Sequence, residues 1–238
     1  MERPSYHHLS DVYDELFPLD PEALSLVLAS LGTRPPTVVD AGCGTGLLVR
    51  ALADHGVRAH GFDLDPDLLE RASLRSGGNA TFQPGDLRTF QLPFPAHSVG
   101  LICCLGNTLP HLTTTAQVAQ FLTRAAEALV PRGTLLLQIL DYGYLKREKL
   151  WELPAKTVGP WTFSRSYTVQ SSGLWTFHTR LTSPGVVREA AFDLRPWEAP
   201  DLQVLLGAGG FRVEGVWGGF DLREPGRSLP LVLRAHLL

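Results

Sequence analysis

The 238-residue sequence predicts an α/β fold, a parallel sheet covered by helices on both faces. Three observations predict it. A β-branched run, Val38-Val39, ends in Asp40 and then meets three alternating glycines, Gly42, Gly44 and Gly46, before an amphipathic stretch begins. Short apolar runs then alternate with segments of helical period as far as Leu140. Beyond Leu140 the chain changes to turn-punctuated runs, which predict a small antiparallel addition.

The first strand covers Val38 to Ala41, and a helix follows from Thr45 to about Asp54. Glycine lacks a Cβ, so the turn between them can adopt φ > 0 and bring bare backbone against a ligand. Val57 to Phe62 is the second strand, and Pro66 opens a helix whose first turn carries Asp67 and Glu70, acids that complement the helix dipole. Ala80 to Gln83 forms a short third strand before the Pro84-Gly85 turn. Val99 to Leu105 is almost wholly apolar, as a strand buried on both faces must be. Apolar residues at Val118, Phe121, Leu122, Ala125 and Leu129 place a helix over 113–129, which Pro131 and Gly133 stop before a fifth strand from Thr134 to Leu140. Ser164 to Val169, Leu174 to Leu181 and Val186 to Leu194 are successive strands joined by Ser-Ser-Gly and Ser-Pro-Gly turns. A helix over Glu198 to Leu206 and strands over Phe211 to Val216 and Leu229 to Leu237 complete the chain.

The length suits one domain, with an N-terminal segment over 1–32 and an addition over 141–196. With 44% hydrophobic and 19% charged residues and a formal net charge of -3, the chain offers no global attraction to nucleic acid or acidic membrane. Three cysteines, two of them adjacent, make neither a disulfide framework nor a zinc spacing. No apolar run reaches the ~18 residues of a membrane span, and the polar opening Met1-Glu2-Arg3-Pro4 differs from a secretory signal. A cytoplasmic protein without metal is the expectation.

The stretch Asp40-Ala41-Gly42-Cys43-Gly44-Thr45-Gly46 resembles the signature of class I S-adenosylmethionine-dependent methyltransferases. The likeness continues through Asp63 after the second strand, Asp86 after the third, Cys104-Leu105-Gly106-Asn107-Thr108 after the fourth, and Leu129-Val130-Pro131-Arg132-Gly133-Thr134-Leu135 before the fifth. Among subfamilies, the small-molecule enzymes are the most similar. The resemblance implies a Rossmann-like seven-stranded sheet, its final strand inserted antiparallel, with the small antiparallel insertion following strand five. It also implies S-adenosyl-L-methionine as cofactor and S-adenosyl-L-homocysteine as product.

Under that resemblance, Gly42, Gly44 and Gly46 line the methionine and ribose side of the cofactor, with backbone from Cys43 and orientation from Asp40. Asp63 accepts both ribose hydroxyls, the bidentate role that a strand-end acid plays in dinucleotide folds. Asp65 is the close alternative for the ribose, though in Asp65-Pro66-Asp67 it more naturally caps a helix. Asp86 meets the adenine amino group, or is a turn acid bonding its own backbone. Leu64 and Leu87 flank the adenine faces, and Leu105 and Asn107 complete the cofactor set.

The acceptor side draws on the aromatic N-terminal segment, where Tyr13 is the most family-like residue, and on Tyr142, Tyr144 and Arg165, which can hold a carboxylate or polar ring or else pack a sheet face. His111 is a base or a capping and packing residue. No catalytic residue is assigned, because an electrophilic sulfonium needs chiefly an acceptor lone pair held in line. The expected partner is a small-molecule methyl acceptor, and the chain is a monomer or homodimer. The alternatives are an RNA or protein methyltransferase, or a noncatalytic S-adenosylmethionine-binding regulator. An NAD oxidoreductase fits less well, because the glycine spacing departs from the dinucleotide pattern. Asn107-Thr108-Leu109-Pro110 likewise departs from the Asn/Asp-Pro-Pro-aromatic motif of amino-methyltransferases that flip adenine.

Overall fold

A computed structural model describes residues 6–34, 36–75 and 77–238. The first five residues of the predicted N-terminal segment lie outside the described residues. A 3-10 helix over Tyr6–Val12 runs into the short α1 (Tyr13–Leu16), and α2 (Pro21–Leu31) follows. Asp20 caps α2 through the Glu22 N–H, and proline stands in the first turn. The central alternation is β1 (Thr37–Ala41), α3 (Leu47–Asp54), β2 (Arg58–Asp63), α4 (Pro66–Leu74), β3 (Ala80–Pro84), β4 (Val99–Cys104), α5 (Thr115–Ala128) and β5 (Leu129–Leu140). After α6 (Tyr142–Glu148) come β6 (Glu152–Val158), β7 (Trp161–Val169), β8 (Trp175–Ser183) and β9 (Val186–Leu194). The chain closes with α7 (Ala199–Ala208), β10 (Phe211–Trp217) and β11 (Pro230–Leu237).

The main sheet has seven strands in the order β10-β11-β5-β4-β1-β2-β3. Pairings from β5 through β3 are parallel, whereas β11 lies antiparallel between β5 and β10. The order reverses at β1 and β4, the switch point where open sheets of this kind place a ligand beyond their carboxyl ends. Both faces are covered, and side chains alternate between them. Val39, Ala41, Ile102, Cys104, Leu135 and Leu137 join one apolar core, while Val38, Leu101, Cys103 and Leu136 join another. The antiparallel sheet β6-β7-β8-β9 lies over the first of these cores, into which Tyr167, Trp175, Phe177 and Phe192 extend.

Four sequence expectations change. The fifth strand begins at Leu129 rather than Thr134, because the Pro131-Arg132-Gly133 stretch is absorbed as an irregularity. Val99 pairs with Leu129 and Leu101 already with Thr134, while Arg132 takes φ 62°. The addition has four strands rather than three. The missed strand, β6, contains Pro154 and pairs on one side only, with a register shift between Leu153 and Lys156, as proline tolerates at an edge. The segment after Leu140 is helical, with Asp141 accepting from the Tyr144 N–H as its N-cap. The helix predicted from Thr113 begins two residues later, where Thr114 and Gln117 form a capping box.

Gly46 shows why its position carries glycine. It caps α3 at φ 78°, and an added Cβ would overlap the Phe82 ring of β3. Gly46→Ala combines left-handed backbone strain with overpacking and is expected to cost about 2–4 kcal/mol. The midpoint of urea unfolding measures this directly.

Candidate active site

At the carboxyl edge of β1, β2, β3 and β4 a cavity of about 1110 Å3 opens between the main sheet and the antiparallel sheet. Its floor is built by strand ends. The Gly42 and Cys43 N–H groups both donate to the Phe62 carbonyl, at 2.8 and 3.0 Å, which folds the glycine turn back over the end of β2. Gly44 N–H then donates to Asp63 Oδ2 at 2.7 Å, and Asp65 N–H donates to Asp63 Oδ1 at 2.8 Å. Asp63 is thus oriented by two main-chain donors, one from each loop beside it. Burial nevertheless raises its pKa above the ordinary carboxylate range.

Asp65 performs the capping predicted for it, accepting from Asp67 N–H and Leu68 N–H through Oδ1. Its other oxygen accepts from Tyr6 N–H at 2.6 Å, which ties the N-terminal segment to the floor. Asp86 both closes a turn and faces the cavity. Its Oδ1 accepts from the backbone N–H and Nε of Arg88, at 2.9 and 2.8 Å, and Arg88 also pairs with Oδ2. Leu64 and Leu87 stand on the same wall as Asp86 and Phe62.

Beyond β4, Gly106 and Asn107 both take left-handed backbone, at φ 69° and 64°. The Asn107 side chain holds this bend, accepting from Leu140 N–H at 2.9 Å and donating to the Tyr142 hydroxyl at 3.1 Å. Its amide is therefore engaged within the fold, and the cavity meets the bend around it. Gln138 in β5 supports the same bend by accepting from Gly106 N–H at 2.8 Å.

Asp40 differs from these acids. It is buried at the end of β1, and no hydrogen-bond donor meets its carboxyl among the described residues. Burial, with the nearby charge of Asp63, pushes its pKa up to about 7. A buried carboxyl without a donor fits a cationic ligand group brought from outside. The glycine turn fits a close backbone approach. Gly42 has φ 81°, and an added Cβ would overlap Thr108, whereas an added Cβ on Gly44 would stand 3.3 Å from the Tyr13 ring. Together with Asp63 and Asp86, these features fit an elongated ligand carrying an ammonium, a sugar diol and an amino-bearing ring.

The opposite side is aromatic. Tyr6 stacks on Phe192 with ring centres 4.4 Å apart, and His111 stands edge-on to both rings. His111 Nε2 and the Tyr6 hydroxyl lie 3.1 Å apart. Burial drives the His111 pKa down to about 4 and the Tyr6 pKa well above its usual value. At neutral pH His111 is therefore uncharged and Tyr6 keeps its proton, so a pair able to donate or accept faces the cavity. The hydroxyl donates to Nε2 when the imidazole carries its proton on Nδ1.

The structure brings Gly42, Asp63, Leu64, Asp86, Leu87 and Asn107 to one cavity, together with Tyr13 and Arg165. Asp40, Cys43, Gly44, Gly46 and Leu105 lie behind its wall, in the loop and core that shape it. Tyr142 is fully buried, edge-on to Trp175 at 5.3 Å, and Tyr144 lies outside the cavity with the Arg147 guanidinium over its ring. Sequence reasoning missed Gln138, Phe177 and Phe192 on the cavity wall. The signals were present: one amide inside the apolar run Leu135-Leu136-Leu137-Gln138-Ile139, and strict alternation in Trp175-Thr176-Phe177-His178.

Residues 38–133 match the family model described as a methyltransferase domain. The chain is 29% identical over 105 residues to the dTDP-3-amino-3,6-dideoxy-alpha-D-glucopyranose N,N-dimethyltransferase of Streptomyces fradiae, a match covering 44% of this chain and 40% of that protein. It is 30% identical over 129 residues to the ubiquinone biosynthesis O-methyltransferase of Xanthomonas campestris pv. campestris, covering 53% of this chain and 52% of that one. The chain thus spans about half or less of the length of the relatives it matches. Across the whole fold, the CcbJ methyltransferase from Streptomyces caelestis superimposes with a TM-score of 0.84 at 21% identity, covering 100% of this chain and 99% of that one. Streptomyces venezuelae DesVI gives 0.70 at 23% identity, covering 94% and 97%.

Proposed function

We propose, from the premise that the chain belongs to the class I S-adenosylmethionine-dependent methyltransferases, that it transfers a methyl group to a small-molecule acceptor. One observation carries this reading. A single cavity joins an acid-bearing floor at the sheet's carboxyl edge to an aromatic, polar-tipped roof, so two ligands can meet inside it. The printed names of relatives agree, since they include an amino-sugar dimethyltransferase and a quinone-biosynthesis O-methyltransferase.

Bound on the floor, S-adenosyl-L-methionine would supply an electrophilic methyl group on its sulfonium and be left as S-adenosyl-L-homocysteine. Asp63 would hold the sugar diol and Asp86 the adenine amino group, with Leu64 and Leu87 beside it, while Asp40, behind the glycine turn, would draw the ammonium toward that turn by its charge. Tyr6 and His111 hold the acceptor from the other side, with the lone pair of its attacking atom turned toward the floor. The enclosing rings of Tyr6, Tyr13 and Phe192 exclude water and disfavour a charged amine, which favours the neutral, nucleophilic form. His111 acts here as a hydrogen-bond partner, because a side chain whose pKa is about 4 does not keep a proton at neutral pH.

Calorimetric titration with S-adenosylmethionine and S-adenosylhomocysteine, followed by a methyl-release screen over amines, carboxylates, phenols, RNA and protein, tests the proposal. Saturable binding and turnover on a small molecule are expected. Turnover confined to RNA or protein, or binding with no turnover on any acceptor, would overturn it. His111→Phe is expected to lower kcat/KM for the acceptor about 10- to 100-fold, since it leaves the Tyr6 hydroxyl without its partner. Cofactor affinity should stay as it was. With the cofactor saturating at every pH, the wild-type profile should show no histidine inflection near 6.5, the ordinary value, because His111 protonates only near 4.

A further inference from the structure

Resting on the methyl-transfer reading, we propose that the acceptor carries an anionic group, a carboxylate or a phosphoryl group, which docks on the guanidinium of Arg165 in the cavity roof. The carrying observation is a buried donor with nothing to donate to. Arg165 lines the cavity, and its Nε is buried without a hydrogen-bond partner among the described residues. One terminal nitrogen reaches the Pro154 carbonyl at 3.4 Å, the outer edge of hydrogen-bonding range. The guanidinium lies 5.5 Å from the centre of the Phe163 ring. Among the described residues it makes no ion pair with a carboxylate.

An arginine cannot escape such a position by losing its proton, as a lysine can. Burial does lower the Arg165 pKa, yet from so high a value that the group stays charged. A second cation makes the deficit larger. Lys156, on the adjoining strand, has its pKa lowered by burial and by the charge of Arg165, and among the described residues it donates only to the Leu16 carbonyl. The nearest hydroxyl in register offers no relief. Thr179 pairs directly with Arg165 across β7 and β8, but it is engaged with His8 at 2.8 Å and with the Ala190 carbonyl at 3.2 Å.

The charges of the cavity are also segregated. Asp63, Asp65, Asp67 and Asp86 all belong to the floor, and Arg88 is committed to Asp86. Arg165 belongs to the roof, on the inner face of β7 between Phe163 and Tyr167. An acceptor bearing an anion would therefore bind in one orientation only. Its charged end would face the roof, where a fork of donors suits two oxygens, and the floor acids would repel that end from the cofactor side. In a largely apolar enclosure such a pairing is worth more than it would be at the surface. The aromatic roof favours an anion carried on a ring or another apolar body.

The test uses benzoate and phenyl phosphate as anionic probes and benzamide as their neutral counterpart, each titrated into the full chain saturated with S-adenosylhomocysteine. At least one anion is expected to bind about tenfold or more tightly than benzamide, a preference that weakens with salt. Whichever anion binds more tightly identifies the carboxylate or the phosphoryl source. Arg165→Gln should abolish the preference, and Arg165→Lys should keep part of it, in proteins with native melting curves. Benzamide binding as well as the anions, no binding by any probe, or a preference that survives in Arg165→Gln would each overturn the proposal. Should Arg165→Gln fail to fold, the wild-type ratio and Arg165→Lys decide. Titration of S-adenosylhomocysteine into the wild type tests the methyl-transfer reading separately. An anion preference in a chain that ignores S-adenosylhomocysteine would overturn that reading and leave the anion site standing.

Discussion

Asp63→Ala is expected to weaken S-adenosylmethionine binding by about a hundredfold or more, because it removes the carboxyl group that would accept two hydrogen bonds from the sugar diol. The carboxylate is held in place before any ligand arrives, by Gly44 N–H on one oxygen and Asp65 N–H on the other. Preorganisation of this kind lets binding proceed without ordering the group first. The loss of fold stability should be much smaller. Two backbone donors lose their acceptor, but a carboxylate that burial holds against ionisation is also removed. Calorimetry for affinity and a thermal melt for the fold separate the two effects. Unchanged affinity in a folded variant would remove Asp63 from the site.

The second large effect is a pH-dependent gain. Asp40 titrates near 3.8 in an unfolded chain and near 7 when folded, so the folded state binds the extra proton between those values. Its contribution to stability is complete below about 3.8, falls as pH rises, and is lost above about 7. Asp40→Asn removes that fall. The variant should gain on the wild type progressively from pH 4 to 7 and then hold a constant advantage, bounded above by about 4 kcal/mol. Chemical denaturation at pH 5 and pH 8 checks the sign. The same substitution should weaken cofactor binding and flatten its pH dependence, because a ligand ammonium would favour the ionised acid that the empty fold disfavours. A stabilising change that costs function marks a residue kept for the ligand.

The parts of the site that were legible in the sequence are local in the chain. The glycine turn, Asp63 and Asp86 each sit within a few residues of a strand end, so periodicity places the strands and the resemblance then picks out the acids that follow them. The roof was not legible in the same way. Tyr6 and His111 are 105 residues apart, and Phe192 of the antiparallel sheet packs against both of their rings. Tyr142 and Tyr144 illustrate the limit of composition. A segment rich in tyrosine after the fifth strand suggested ligand contacts, but its helical turn sends Tyr142 into the core against Trp175 and Tyr144 outward under Arg147. Tyr167, two residues from Arg165 on an alternating strand, is the tyrosine of this half of the chain that reaches the cavity.

The N-terminal segment joins its two neighbours with different kinds of bond. Toward the antiparallel sheet it offers chiefly Leu9, Val12 and Leu16, which pack with Phe163 and Leu181 as a small oily knot, beside an ion pair of Asp11 with Arg188. Toward the main sheet it offers charge: Asp11 to Arg71, and Asp14 to Arg75, Arg50 and the Thr45 hydroxyl. Half-exposed ion pairs of this sort are individually weak and are softened further by salt, whereas the knot is not. The seam beside the glycine turn is therefore the one that yields first. Rising ionic strength is therefore expected to loosen the strap from the base while its apolar grip on the canopy persists.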